Sequence, residues 1–254
     1  MKKKLLIAAA AVVFFAISGI GLYSQYSVPV LMYHSFDKTR LGVYSVVTPE
    51  RFREQLKFIK SRGYRTISLT EYAGLLEKGR PLDRNLVVIT IDDGYKDNLA
   101  AVKLLQEYDL PATIFMIADK TGEQGFLTED DLVWIASQTP VSIGSHTCTH
   151  SYIPEINDQQ LHHEIFDSRT KLENICAGEI DTFSFPIGGF DERTEKELKA
   201  AGYRCACATN RGFSRALSLY ALRRIKVTQR DTGIRLWAKL SGYYNLFKKV
   251  KKPY

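Results

Sequence analysis

Apolar and polar positions along this chain switch repeatedly between two periods. Runs rich in β-branched and other apolar residues at 28–34, 64–67, 86–91, 112–118, 141–143, 182–185, 203–209 and 222–227 read as strands. The segments between them carry apolar residues three and four positions apart, which reads as helix. The helix predicted over 49–62 shows every boundary signal. Thr48 stands at the N-cap, Pro49 at the first helical position and Gly63 after the end, with Phe52, Leu56 and Ile59 forming one stripe. Ser68 and Glu71 have capping-box spacing ahead of a short helix. Further helices are predicted over 97–108, from near 128, over 157–174 as the longest, and over 192–201, closed by Gly202.

Strand–helix alternation of this kind argues for a parallel sheet with helices outside it. Seven or eight repeats favour a distorted or incomplete (β/α) barrel of about seven repeats over an open doubly wound sheet. Residues 27–230 carry no internal repeat or low-complexity linker and are long enough for one domain with a large core. In such barrels active sites lie at the C-terminal ends of the strands. No glycine-rich phosphate loop follows any strand, which counts against a nucleotide enzyme.

Two stretches at predicted strand ends carry the chemistry. One is Thr90-Ile91-Asp92-Asp93-Gly94, the other Ser145-His146-Thr147-Cys148-Thr149-His150. One carboxylate and two imidazoles can hold a divalent cation on one side and leave open positions for water and a substrate oxygen. The second carboxylate is then free to take a proton. Each motif alone is weak, since Asp-Gly is a common turn and histidines four apart also occur as solvated helix pairs. Together they use two of only five histidines in the chain.

Both motifs resemble the first two motifs of the polysaccharide deacetylases, carbohydrate esterase family four. Phe183-Ser184-Phe185-Pro186-Ile187-Gly188 adds to the likeness, and so does Pro29-Val30-Leu31-Met32-Tyr33-His34. The last is similar to the subgroup that deacetylates poly-N-acetylglucosamine, whose motifs are circularly permuted. The resemblance implies a divalent metal, zinc or another such as cobalt, on Asp93, His146 and His150. It implies Asp92 as general base and His34 as general acid. It places Tyr33, Pro186, Ile187 and Gly188 at the substrate, with a backbone N–H after Pro186 polarising the acetyl carbonyl.

The chain also departs from the family pattern. Ser184 stands where many members have arginine two positions before the proline, and Ile187 stands where an aromatic commonly follows it. The Asp-containing and Leu-x-His motifs near the C-terminus of other members have no counterpart. In that region lies Ala221-Leu222-Arg223-Arg224-Ile225-Lys226-Val227, and one of its arginines could orient Asp92. Alternation along a strand lets at most one of Arg223 and Arg224 reach the site.

The flanks bear on location. Met1-Lys2-Lys3-Lys4 precedes an uncharged run over 5–23, so residues 1–26 read as a signal peptide or an N-terminal membrane anchor. Either one places the catalytic part in the periplasm or at the cell surface. Residues 231–254 read as a basic amphipathic helix and tail. Trp237, Leu240, Tyr243, Tyr244 and Phe247 precede Lys248, Lys249, Lys251 and Lys252, and packing of that stripe on the barrel is expected ahead of a membrane-surface role. The formal charge of +7 is otherwise spread along the chain, so no nucleic-acid partner is expected, and the protein should be a monomer. No disulfide is expected: Cys205 and Cys207 lie two apart on one strand, and Cys148, between two proposed ligands, reads as a structural thiol. His162 and His163 are expected at the surface.

The resulting expectation is a metal-dependent hydrolase that removes N-acetyl groups from an amino-sugar polysaccharide at the cell envelope. The alternatives are a carbohydrate-binding protein on the same fold with little turnover, and a deacetylase of peptidoglycan.

Overall fold

Eight parallel strands build the molecule: β1 (Val30–Tyr33), β2 (Arg65–Thr66), β3 (Leu86–Asp93), β4 (Ala112–Met116), β5 (Val141–Ser145), β6 (Thr182–Ser184), β7 (Cys205–Ala208) and β8 (Leu222–Lys226). They belong to a computed structural model, which describes residues 26–40, 45–79, 81–209 and 218–244. The order is β1-β8-β7-β6-β5-β4-β3-β2, and β1 also pairs with β3. That last pairing closes a ring of seven strands, with β2 left outside it. β2 meets Leu86 and Val87 of β3 while β1 meets Val88 to Ile91, so the two share one edge of β3 in succession. The barrel is therefore complete rather than open. Its distortion lies at the β5–β6 seam, joined by the single register pair Ser145 with Phe183.

The helices follow the predicted boundaries to within a residue or two: α1 (Pro49–Ser61), α2 (Leu69–Glu77), α3 (Asn98–Glu107), α4 (Glu129–Gln138), α5 (Asp158–His162), α6 (Ser168–Cys176), α7 (Glu192–Ala200) and α8 (Gly233–Leu240). Thr48 caps α1 by accepting from the Arg51 N–H, and Ser68 caps α2 through the Glu71 N–H. The single long helix expected over 157–174 is instead α5 and α6 joined by a π-helical turn, His163–Asp167.

Alternation along the strands sorts side chains into two layers. Leu31, Tyr33, Val87, Ile89, Ile91 and Ile114 point outward and join the helices in the main core. Val30, Val88, Phe115, Cys205, Cys207 and Leu222 form a second cluster in the barrel interior. On β3 the inward series runs Val88, Thr90, Asp92, so a fully buried strand delivers one carboxylate to the top of the barrel. The four cysteines are free thiols, three of them buried.

The C-terminal stripe divides instead of packing as a whole. Of the stripe, Leu240 is buried and Tyr244 packs partly buried against the core, whereas Trp237 is 50% exposed; on the same helix Leu236, outside that stripe, is buried and Ile234 is 78% exposed. Phe247 and the four lysines after it lie outside the described residues. The same helix also buries a lysine: Lys239 Nζ donates to Asp231 Oδ2 at 2.6 Å and to the Lys226 carbonyl at 2.7 Å. Asp231 also accepts from the Thr228 N–H and hydroxyl. Lys239→Met should therefore cost about 3 kcal/mol or more in urea unfolding, since removing one partner of a buried pair strands the other charge.

Candidate active site

The site is built where β3, β5, β6 and β8 end. Asp93, the last residue of β3, adopts φ 78° and Gly94 follows at φ 74°. This reversal turns Asp93 back over the barrel, although its place in the alternation points it outward. Glycine suits position 94 because its positive φ is strained for other residues and a side chain there would press on Met116, whose Sδ lies 2.0 Å from the Cβ position. Thr147 and His150 also adopt positive φ, both 69°, as does Ile187 at 59°. Four of the six non-glycine residues with positive φ among the described residues thus belong to the motifs singled out above. Strained backbone of this kind collects at functional sites.

Asp93 Oδ1 lies 3.5 Å from both His146 Nε2 and His150 Nε2. Two ligand atoms each about 2.1 Å from one tetrahedral ion would stand roughly 3.4 Å apart. The spacing therefore suits a divalent cation shared by the three. The second nitrogen of His146 points the same way. Its Nδ1 lies 2.7 Å from the Ser184 carbonyl, to which it must donate, and this leaves the Nε2 lone pair facing Asp93. Burial works against charge on His146, but in the protonated imidazole the hydrogen bond that Nε2 donates to the Asp93 carboxylate outweighs it and raises the pKa. Burial likewise works against charge on Asp93, and His146 outweighs it, holding that carboxyl well below the usual range. His150, half-buried, has its pKa lowered by desolvation and then by His146, so it is neutral at pH 7 and able to ligate.

Asp92 is 3% exposed, and its carboxylate faces Arg224 in a two-pronged pair, Nη1 to Oδ1 and Nη2 to Oδ2 at 2.7 Å. Arg224 Nη2 also donates to Ser184 Oγ at 2.8 Å, Nη1 to Thr90 Oγ1 at 3.3 Å, and the guanidinium lies over the Phe115 ring. Burial would raise the Asp92 pKa; the Arg224 charge outweighs it and the carboxyl stays ionised. The departure at position 184 thus acquires a structural meaning. The small Ser184 leaves room for an arginine that arrives from β8. Of the two candidates Arg224 is the one at the site; Arg223 faces the other side of β8, as alternation requires.

His34 follows β1 on the inward side, within electrostatic reach of Asp92 and Asp93. Burial lowers its pKa, and its Nδ1 is buried without a hydrogen-bond partner among the described residues. Pro186, Ile187 and Gly188 form a tight turn just past Ser184, with Pro186 and Gly188 buried and Ile187 58% exposed at the rim. Tyr33 requires a correction. It is fully buried on the outward face of β1, donates to Gln55 Oε1 and packs against Phe36 and Phe52. Strand alternation sends it away from His34, so it belongs to the core rather than to the lining of the site.

A second carboxylate escaped the sequence reading. Glu164, in the π turn and 3% exposed, accepts from the N–H groups of Cys148 and Thr149 at 2.8 and 2.9 Å. Its other oxygen accepts from the hydroxyls of Thr149 and Ser151. It thereby fixes the strained loop that carries His150. Asn98 acts similarly at β1, donating to the His34 carbonyl at 2.8 Å. A buried-charge signal was present for Glu164, an acidic residue at an apolar phase of its helix, but its partner loop is not visible in sequence. Near Cys148, Asp119 and His163 could also approach a metal, yet the Lys171 ammonium already sits against Asp119 at 2.6 Å.

Glu164→Ala should leave two buried N–H groups unpaired and cost about 1–3 kcal/mol. Divalent metal affinity, measured by titration calorimetry, should fall about 10–100-fold. Glu164→Gln, which keeps one acceptor, should fall between the variant and the parent.

Comparison with known proteins agrees with this geometry. A family model described as polysaccharide deacetylase matches residues 79–206, half of the chain. YxkH of Bacillus subtilis (strain 168), which carries the family's name, is 33% identical over 207 residues, 81% of this chain and 73% of its own. The peptidoglycan-N-acetylglucosamine deacetylase of Bacillus cereus is 28% identical over 49% of this chain and 56% of its own. The poly-beta-1,6-N-acetyl-D-glucosamine N-deacetylase of Escherichia coli K12 is 28% identical over 42% of this chain and 18% of its own. The Streptococcus pyogenes deacetylase PplD, solved in complex with acetate, superposes with a TM-score of 0.77 at 25% identity, covering 84% of this chain and 97% of its own. The chain belongs to the polysaccharide deacetylase family.

Proposed function

We propose that this protein is a metal-dependent N-deacetylase of an N-acetylglucosamine polymer of the poly-N-acetylglucosamine kind, acting outside the cytoplasm. The observation that carries the reading is the pairing of two differently treated carboxylates. Asp93 faces two imidazoles, while its neighbour Asp92 is held off that group by Arg224. Adjacent residues therefore have separate tasks, metal ligand and base. Entry of His34 from the first strand supports the permuted subgroup.

Held by Asp93, His146 and His150, a divalent cation, with zinc the first candidate and cobalt another, would supply Lewis acidity toward a water and the acyl oxygen. The remaining steps belong to the chain. Asp92, ionised at neutral pH, accepts the proton as water oxygen bonds to the acetyl carbon. The Ile187 N–H, presented by the tight turn, donates to the acyl oxygen as charge builds on it. The C–N bond then breaks, and His34 donates a proton to the departing amine, leaving acetate and a free amino sugar. Peptidoglycan is the second reading. The Bacillus cereus relative is named for that substrate, and both polymers present the same N-acetylglucosamine acetamide.

The uncharged run over 5–23 supports export, either as a cleaved signal or as a retained anchor.

The direct test is acetate release from N-acetylglucosamine oligomers and from peptidoglycan by the metal-stripped full chain, before and after zinc or cobalt is restored. Metal-restored release is expected; none from either substrate, despite stoichiometric metal binding, would defeat the reading. Asp92→Asn should keep the metal and lose at least about 100-fold in turnover, the usual scale for a general base, whereas His146→Ala should lose both. Because His34 must carry a proton when the amine leaves, activity should decline as pH rises through its pKa. That alkaline limb should vanish in His34→Gln with metal content unchanged.

A further inference from the structure

The end of the barrel opposite the site has its own surface chemistry. An open cleft of about 530 Å³ is lined by Arg62, Tyr64, Asp83, Arg84, Asn85 and Trp237. These residues come from the turns that enter β2 and β3 and from α8, so the cleft lies at the N-terminal ends of the strands. Both arginines are exposed. The Arg62 guanidinium lies 5.0 Å from the centre of the Phe58 ring, and that of Arg84 lies 5.7 and 5.8 Å from Tyr26 and Tyr243. Trp237 is half exposed, and Ile234, three residues earlier on the same helix face, is 78% exposed. Tyrosine, tryptophan and arginine side by side at one surface is the composition that suits a membrane–water interface, where amphipathic rings sit among headgroups.

The flanks of the described chain meet at this cleft. Ser27 N–H donates to the Gly242 carbonyl at 3.2 Å, and the Tyr26 ring stands edge-on to Tyr243 at 5.9 Å. On one side, only Ser24 and Gln25 separate Tyr26 from the uncharged run over 5–23. The three Cα–Cα steps from Tyr23 to Tyr26 span at most about 11 Å, which tethers the run within that reach of Tyr26. On the other side, Lys248, Lys249, Lys251 and Lys252 follow Tyr244 closely. The two ends of the described chain, Tyr26 and Tyr244, therefore leave the fold beside the arginine–aromatic cleft, one followed backward in sequence by an uncharged run and the other followed by four lysines.

We propose that this face docks on the surface of an anionic phospholipid bilayer. Trp237 and Ile234 enter the interface, and Arg62 and Arg84 meet the lipid phosphates. The active site, at the far end of the barrel, then points away from the membrane. The proposal rests on the export reading for the presence of a bilayer, and is independent of the acetyl chemistry.

The chain has two tryptophans, so Trp134→Phe leaves Trp237 as the reporter. The full-length variant is mixed with phosphatidylcholine vesicles containing phosphatidylglycerol, with plain or brominated acyl chains. Acetate release against the parent chain serves as a check that the variant folds; loss of activity in both chains would count against the deacetylase reading and leave the fluorescence readout intact. The expected result is quenching of Trp237 by the brominated anionic vesicles, weakening as salt rises. Arg62→Gln combined with Arg84→Gln should lower docking roughly 30-fold, from two charges removed near an anionic surface at about 1 kcal/mol each. Equal fluorescence in plain and brominated vesicles would overturn the proposal, whether the chain floats with the vesicles or stays in solution. Burial of Trp237 on self-association without lipid would overturn it too, and would give the face to a second copy of the chain.

Discussion

The ion pair between Arg224 and Asp92 is the constraint around which the top of this barrel is organised. Two charges withdrawn from water cost several kcal/mol each, and mutual attraction offsets that only when geometry is good and the remaining donors are satisfied. Here the two prongs of the pair, Ser184 and Thr90 satisfy most of the guanidinium, and Phe115 lies beneath it. Arg224 sits on β8 and Asp92 on β3, with β1 pairing to both strands between them. The bond therefore spans the point where the barrel closes, and the charge arrangement and the closure of the fold depend on each other. An apolar pair of similar volume could hold the strands together as well, but it would leave no ionised carboxylate beside Asp93.

That arrangement also explains how two neighbouring carboxylates behave differently. Alternation alone would place Asp92 inside the barrel and Asp93 outside. The positive φ at Asp93, made possible by the glycine after it, brings the second carboxylate over the top without displacing the first. One then meets a fixed guanidinium and the other two imidazoles. Backbone strain at Asp93, Thr147, His150 and Ile187 is the cost of converging four strand ends on one point. Glu164 holds the loop in which two of these residues lie.

Much of this was legible in the sequence, because local rules dominate where the fold is regular. Strand runs, the Thr48–Pro49–Gly63 boundaries and the Asp92, Asp93, His146 and His150 constellation follow from period, capping and ligand spacing. Alternation also stated correctly that only one of Arg223 and Arg224 could reach inward. It could not choose between them, because the choice depends on the register of β8 against β1, which is set by pairing across the ring. The same rule, applied to the Tyr33-His34 pair, would have excluded Tyr33 from the site; the motif resemblance drew it in. The roles of Glu164 and Asn98 were hidden because their partners, the 147–151 loop and the His34 carbonyl, are distant in sequence, and the apolar phase of Glu164 marks at most a buried charge. The π turn was hidden as well, since Leu161, Ile165 and Leu172 keep ordinary helical spacing across it.

The C-terminal segment shows where a pattern argument is weakest. A stripe of aromatic and aliphatic residues at helical spacing predicts burial, and for Leu240 and the partly buried Tyr244 it is right. Lys239 breaks the pattern in the opposite direction, since its ammonium finds Asp231 and a strand-end carbonyl inside the protein. Once that polar anchor is fixed, the orientation of the helix is fixed with it. Ile234 and Trp237 must then face outward however apolar they are. Their exposure follows from a buried charge on the other side of the same helix, and it leaves a surface that water alone does not account for.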